Sequence, residues 1–139
     1  MKLKLTILLF FSSLFFLSGC TASGPVFTQI ESPKPGMSKV YLLRRSAFAG
    51  KAYCPSLKYN NTPIGCLKDN GYLVVDARPG EAYIGGGDFR LLFEAEAGKT
   101  YFFEYGYEPL PGYSSYTAFV EEVDSTYAMR ILPTLNLSL

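Results

Sequence analysis

The chain has 139 residues, 13 basic and 12 acidic side chains, and no histidine. It therefore lacks the basic excess of a nucleic-acid stripe or polybasic membrane patch, and it has no imidazole for Ser/His/Asp or Cys/His catalysis. The length allows one modest core, and three cysteines without histidine make a poor zinc set.

Lys2 and Lys4 precede an apolar run over residues 5–17, broken only by Thr6, Ser12 and Ser13, and small residues follow. This charged, greasy, small order is that of an export signal. The run falls short of the roughly 20 apolar residues that a spanning helix needs. Leu17-Ser18-Gly19-Cys20 resembles the lipobox of bacterial lipoproteins, which implies a diacylglycerol on the Cys20 thiol and Cys20 as first mature residue. A second reading is an ordinary signal cut after Ser23, because Thr21-Ala22-Ser23 is also a tolerable small-residue site. Under the lipobox reading residues 1–19 are the signal, and loss of Lys2 and Lys4 reduces the 13 basic residues to 11 against 12 acidic. Palmitate-type chains on Cys20 hold a protein stably, since each buried methylene contributes about 0.8 kcal/mol. Thr21 in place of an aspartate implies, by the same resemblance, the outer membrane facing the periplasm.

With Cys20 acylated, Cys54 and Cys66 remain, and in an oxidising compartment they are expected to form a disulfide. Residues 20–36, rich in small residues and proline, are expected to be a lipidated N-terminus and flexible tether, followed by a β-sandwich domain over residues 37–139.

Lys39 to Arg44 is apolar on both faces, as in a strand covered from two sides. Residues 54–59 and 64–67 flank Asn60-Asn61-Thr62-Pro63 as a hairpin. Asn70-Gly71 supplies a second hairpin signal, since both tolerate positive φ, and residues 72–77 follow as a strand. Arg78-Pro79-Gly80-Glu81 suits a type II turn. Gly85-Gly86-Gly87-Asp88 is expected to be a hairpin or bulge: no helix follows to make a phosphate nest. Phe89, Leu91, Phe93 and Ala95 alternate with more polar neighbours, and Tyr101, Phe103, Tyr105 and Tyr107 share one strand face. Residues 116–123 form the last strand, and Asp124 or Ser125 caps a short helix with Ala128, Ile131 and Leu132 on its inner face. Seven to eight short strands with a short C-terminal helix predict an all-β, two-layer β-sandwich, Ig-like or related.

The order Val40-Tyr41-Leu42-Leu43-Arg44, Ile64-Gly65-Cys66-Leu67 with Asn70-Gly71-Tyr72, Arg78-Pro79-Gly80-Glu81, Glu96-Ala97-Gly98-Lys99-Thr100-Tyr101 and Val120-Glu121-Glu122-Val123 resembles a family of small bacterial lipoproteins. That family is defined by the domain of unknown function numbered 2846, and the resemblance brings no catalytic residues and no cofactor.

Asp69, Asp76, Asp88, Glu104, Glu108, Glu121 and Glu122 are the acidic candidates for an acid–base pair, but their strand-face and turn positions read as solvated charge. No catalytic or metal-binding residue is assigned. Of the 11 tyrosines, Tyr105, Tyr107, Tyr113 and Tyr116 are the binding candidates, because tyrosine joins a flat apolar face to a polar tip. The expected function is a non-enzymatic protein-interaction or envelope-structural module, lipid-anchored, with an envelope protein as partner and no nucleic acid. The alternative is a glycan- or peptidoglycan-binding module using loop tyrosines, and a carboxylate-based envelope hydrolase is the third reading.

Overall fold

The computed structural model describes residues 20–87 and 89–139; the expected signal peptide and Asp88 lie outside them. Among the described residues nine strands, one short α-helix and a 3-10 turn follow in order: β1 Ser38–Arg44, β2 Ser56–Tyr59, β3 Thr62–Cys66, β4 Gly71–Ala77, β5 Gly80–Gly86, β6 Phe89–Ala95, β7 Thr100–Pro109, β8 Tyr116–Glu122, α1 Ser125–Ile131, the 3-10 turn Leu132–Thr134 and β9 Asn136–Leu137. They form a five-stranded sheet in the order β8-β7-β1-β4-β9 and a four-stranded sheet in the order β3-β2-β5-β6. The all-β, two-sheet architecture with a C-terminal helix is as expected; the ninth strand is the two-residue β9.

The central strand β1 is buried over all seven residues because both of its faces are covered. Val40 and Leu42 enter the core between the sheets, with Leu57, Leu73, Ile84 and Phe103. Tyr41 and Leu43 face the other way, into a second cluster with Phe27, Phe102, Ala128, Leu132 and Leu135. Each valine, leucine, isoleucine or phenylalanine among them contributes about 1.5–3 kcal/mol on full burial. The continuous apolar run of β1 thus records a strand with a layer on each side. Its pairing with β7 is parallel, as is that of β4 with β9.

One turn differs from expectation in what it joins. Asn60, with φ 51°, closes the β2–β3 hairpin, and Gly87, with φ 60°, lies between the paired ends of β5 and β6. Asn70 also takes positive φ, yet β3 and β4 belong to different sheets, so Asn70-Gly71 is an arch between layers and not a hairpin. Turn chemistry specifies a reversal of direction; β1 supplies the edge to which β4 adds. The turn at Pro79 and Gly80 likewise passes from β4 in one sheet to β5 in the other.

The expected tether is not free along its length. Thr21 bridges to Asp69 and Val26 to Asn136, while Ala22 and Phe27 are buried. The Phe27 ring stands edge-on to Tyr41 and Tyr72, at 6.0 and 5.7 Å. Phe27 and Ile30 of this segment join Ala128 of the seven-residue helix α1, Leu132 and Leu135 in covering the outer face of the five-stranded sheet. The packed body therefore begins at the N-terminal end of this segment and not at Met37. Asp124 caps α1 as expected, its Oδ1 accepting from the Tyr127 N–H at 2.8 Å.

An ion cluster fixes the end of that segment. Lys39 Nζ lies 2.9 Å from Glu31 and 2.8 Å from Asp76, and Lys34 Nζ lies 2.5 Å from Asp76. Hydrogen bonds from Lys34 and Lys39 hold the Asp76 carboxyl below its usual range, and the hydrogen bond to Asp76 raises Lys39 despite its burial. The Asp76 contribution is present above the unfolded carboxylate pKa of about 3.9 and fades as pH falls through the lowered folded value; that of Lys39 is full below about 10.4 and fades as pH rises through the raised folded value. Urea midpoints should accordingly be level near neutrality and fall on both sides, and Asp76→Asn should lower the plateau and flatten the acid limb.

Candidate functional site

The strand registers bring one set of aromatic residues to one end of the sandwich. Parallel strands β1 and β7 both run toward this end, so residues 45–55 leave from it, the β7–β8 turn projects from it, and antiparallel β8 returns from it at Tyr116. A cleft of about 400 Å³ lies there, walled by Tyr53, Ser56, Gly86, Phe89, Tyr107 and Tyr116. Among the described residues no charged side chain lines it.

The four predicted tyrosines occupy three different environments. Tyr105 is 2% exposed and belongs to the core, reaching the cleft lining from beneath; burial, then its hydrogen bond to Tyr107, raises its pKa. Strand alternation sets its face, and its depth comes from residues distant in sequence, among them the overlying β6 residue Phe89, 5.5 Å ring to ring. Tyr105 Oη donates to Tyr107 Oη at 2.9 Å, and the two rings stand at 89°. Tyr107 is half-buried and forms the floor of the cleft, Tyr116 is a 56% exposed wall, and Tyr113 is 75% exposed in the β7–β8 turn, away from the lining residues.

Tyr53, 58% exposed, and Phe89 complete the aromatic wall and were not singled out from the sequence. Tyr53 precedes Cys54, which is bonded to Cys66 with the Cα atoms 5.4 Å apart, so the expected disulfide fixes this side of the cleft. Behind the tyrosines lies Arg44. Its Nη1 donates to the carbonyls of Tyr53 and Leu67 at 2.7 and 2.8 Å, and its Nη2 donates to that of Gly50 at 2.5 Å. The guanidinium carbon is 5.8 and 5.7 Å from the Tyr105 and Tyr107 ring centres, within cation–π range. Gly50 has φ 72°, and a Cβ there would overlap the Tyr107 ring, so the residue is held to glycine by conformation and by close approach.

Among the described residues the acidic candidates do not line this cleft. Asp69 is buried and accepts from Ser46 Oγ at 2.8 Å and the Ala47 N–H at 3.2 Å. Both Glu104 oxygens are engaged, Oε1 by Arg45 at 2.5 Å and Oε2 by Tyr127 at 2.6 Å. Glu108, Glu121 and Glu122 are exposed. Among the described residues no group of three His, Cys, Asp or Glu is placed to hold a metal ion.

Cys20 lies at the same end as the cleft. Its carbonyl accepts from the Asp69 N–H at 3.1 Å, and its Sγ is 3.1 Å from the Ala52 carbonyl. No curated protein and no solved structure matches the chain. A family described as protein of unknown function, DUF2846, matches residues 34–113, a span that runs from before β1 into the β7–β8 turn and includes Arg44, both bridged cysteines and the Tyr53 and Tyr107 walls of the cleft; the chain belongs to this family.

Proposed function

We propose that this chain is a bacterial lipoprotein, acylated on Cys20 and held in the outer membrane facing the periplasm, that works without catalysis as a protein-interaction module. The observation that carries the interaction reading is the cleft itself. Tyr53 and Tyr116 present large exposed faces around a half-buried Tyr107, a grouping of the residue type that contributes most at protein contacts, and the disulfide and Arg44 hold one wall in place before any partner arrives.

The aromatic lining of the same cleft, with Tyr53, Phe89, Tyr107 and Tyr116, favours one second reading, a sugar of peptidoglycan or a surface glycan stacked on the rings. One set of variants separates the two. A photo-crosslinking side chain at position 117, on the cleft wall, should give a discrete protein adduct in cells that Tyr116→Ala and Tyr53→Ala abolish. Sedimentation with purified peptidoglycan that Tyr116→Ala abolishes would favour the glycan instead. Cys20→Ala should remove palmitate label, and label that persists would overturn the anchor.

A further inference from the structure

We propose that the lipid-bearing end of the sandwich is itself a bilayer-docking face, with the β1–β2 loop inserting Phe48 into the membrane interface beside the acyl chains of Cys20. This rests on the acylation of Cys20 and adds an orientation to it.

The chain has almost no slack between the acylation point and the folded body. The Asp69 N–H holds the Cys20 carbonyl, and the Ala22 N–H in turn reaches the Asp69 carbonyl at 2.9 Å. Asp69 is itself buried and grips Ser46 and Ala47 in the β1–β2 loop. Acylation replaces the Sγ hydrogen, so the contact with the Ala52 carbonyl becomes simple packing, and the diacylglycerol leaves the protein next to that loop. A flexible tether of 17 residues would let the domain tumble away from the bilayer; this geometry keeps it at the headgroups.

The loop has the composition that such a position favours. Phe48 is 96% exposed, a large apolar ring in water without packing of its own. Residues 45–53, Arg-Ser-Ala-Phe-Ala-Gly-Lys-Ala-Tyr, contain two cations and no acidic residue. Arg45 is paired with Glu104, whereas Lys51 is exposed, suited to anionic headgroups. Tyr53 and Tyr113, exposed at the same end, match the aromatic preference for the membrane–water boundary. Buried apolar area in the loop adds to the hold of the acyl chains. The tyrosine cleft then opens near the bilayer surface, within reach of a membrane-borne partner and away from distant cell-wall glycan.

The chain contains no tryptophan, so Phe48→Trp installs a single reporter in the full-length lipidated protein, and Ala97→Trp in the exposed β6–β7 turn at the opposite end serves as its control. Both variants are purified from membranes, checked for lipid on Cys20 by mass, and reconstituted into phosphatidylethanolamine–phosphatidylglycerol vesicles with or without brominated acyl chains. The expected result is a shift of Phe48→Trp emission to shorter wavelength and its loss with brominated lipid, with Ala97→Trp unchanged. Lipid on Cys20 with both reporters equally unquenched overturns the docking face and leaves the anchor standing. A shift to shorter wavelength without quenching indicates a protein cover and also overturns it. Absence of lipid on Cys20 overturns the anchor and the docking face together.

Discussion

Arg44→Met is expected to lower the unfolding free energy by about 3–5 kcal/mol, because it deletes a buried cation and leaves one buried and two partly buried carbonyls without their donor. Hydrogen bonds to charged groups contribute about 1.5–3 kcal/mol each, and some of that loss is recovered as the loop opens to water. The three acceptors come from separate places: Gly50 and Tyr53 in the β1–β2 loop and Leu67 after β3. The guanidinium therefore ties the loop to both layers, and it also packs against Tyr105 and Tyr107. Arg44→Lys should recover only part of the loss, since one ammonium cannot reproduce the planar fork or the stacking. Urea unfolding of the mature chain gives the magnitude. Amide exchange gives the location: residues 49–55 should exchange faster in Arg44→Met while α1 stays protected. A loss below about 1 kcal/mol, within the range of a solvent-exposed charge, would show that Arg44 does not hold the loop.

The contrast between Arg44 and its neighbours shows how far a sequence can be read. Val40 to Leu43 declare a strand covered on both faces, because continuous apolarity reports directly on burial. Arg44 ends the same strand and is equally buried, yet nothing local announces it: its partners lie 6, 9 and 23 residues away and meet only in the assembled fold. The Asp124 cap and the helix face of Ala128, Ile131 and Leu132 were legible because capping and helical periodicity are local. Asn70-Gly71 was legible as a turn but not as an arch between sheets, since positive φ carries no information about which strand is joined next. Residues 20–36 carry no local signal for a related reason: Phe27 and Ile30 have no periodicity of their own, and the outer face of the five-stranded sheet buries the first and packs against the second. In the candidate site, Tyr107 and Tyr116 could be picked as aromatics near a turn, whereas Tyr53 and Phe89 join them only through the packing of the two sheets.

Removing the Cys54–Cys66 bridge by paired serine substitution is expected to cost about 3 kcal/mol in the chain-entropy model for a short loop, here with a sequence separation of 12. Its interest lies in where it sits. Arg44 Nη1 bonds to the carbonyls of Tyr53 and Leu67, the residues immediately outside the two half-cystines, so one guanidinium nitrogen and one disulfide clip the same two chain segments. If the bridge acted only by restricting the unfolded chain, its loss would add to that of Arg44→Met, because the unfolded ensemble does not contain the Arg44 contacts. If it also holds the native segments together, its loss lets the Tyr53 and Leu67 carbonyls reach water, and Arg44→Met then costs less. The shared geometry leads us to expect the second outcome: in a double-mutant cycle the combined loss should fall short of the sum by about 1 kcal/mol, within the range for residues that share partners. Strict additivity would place the whole effect of the bridge in the unfolded state, and the cleft wall at Tyr53 would then owe its position to Arg44 alone.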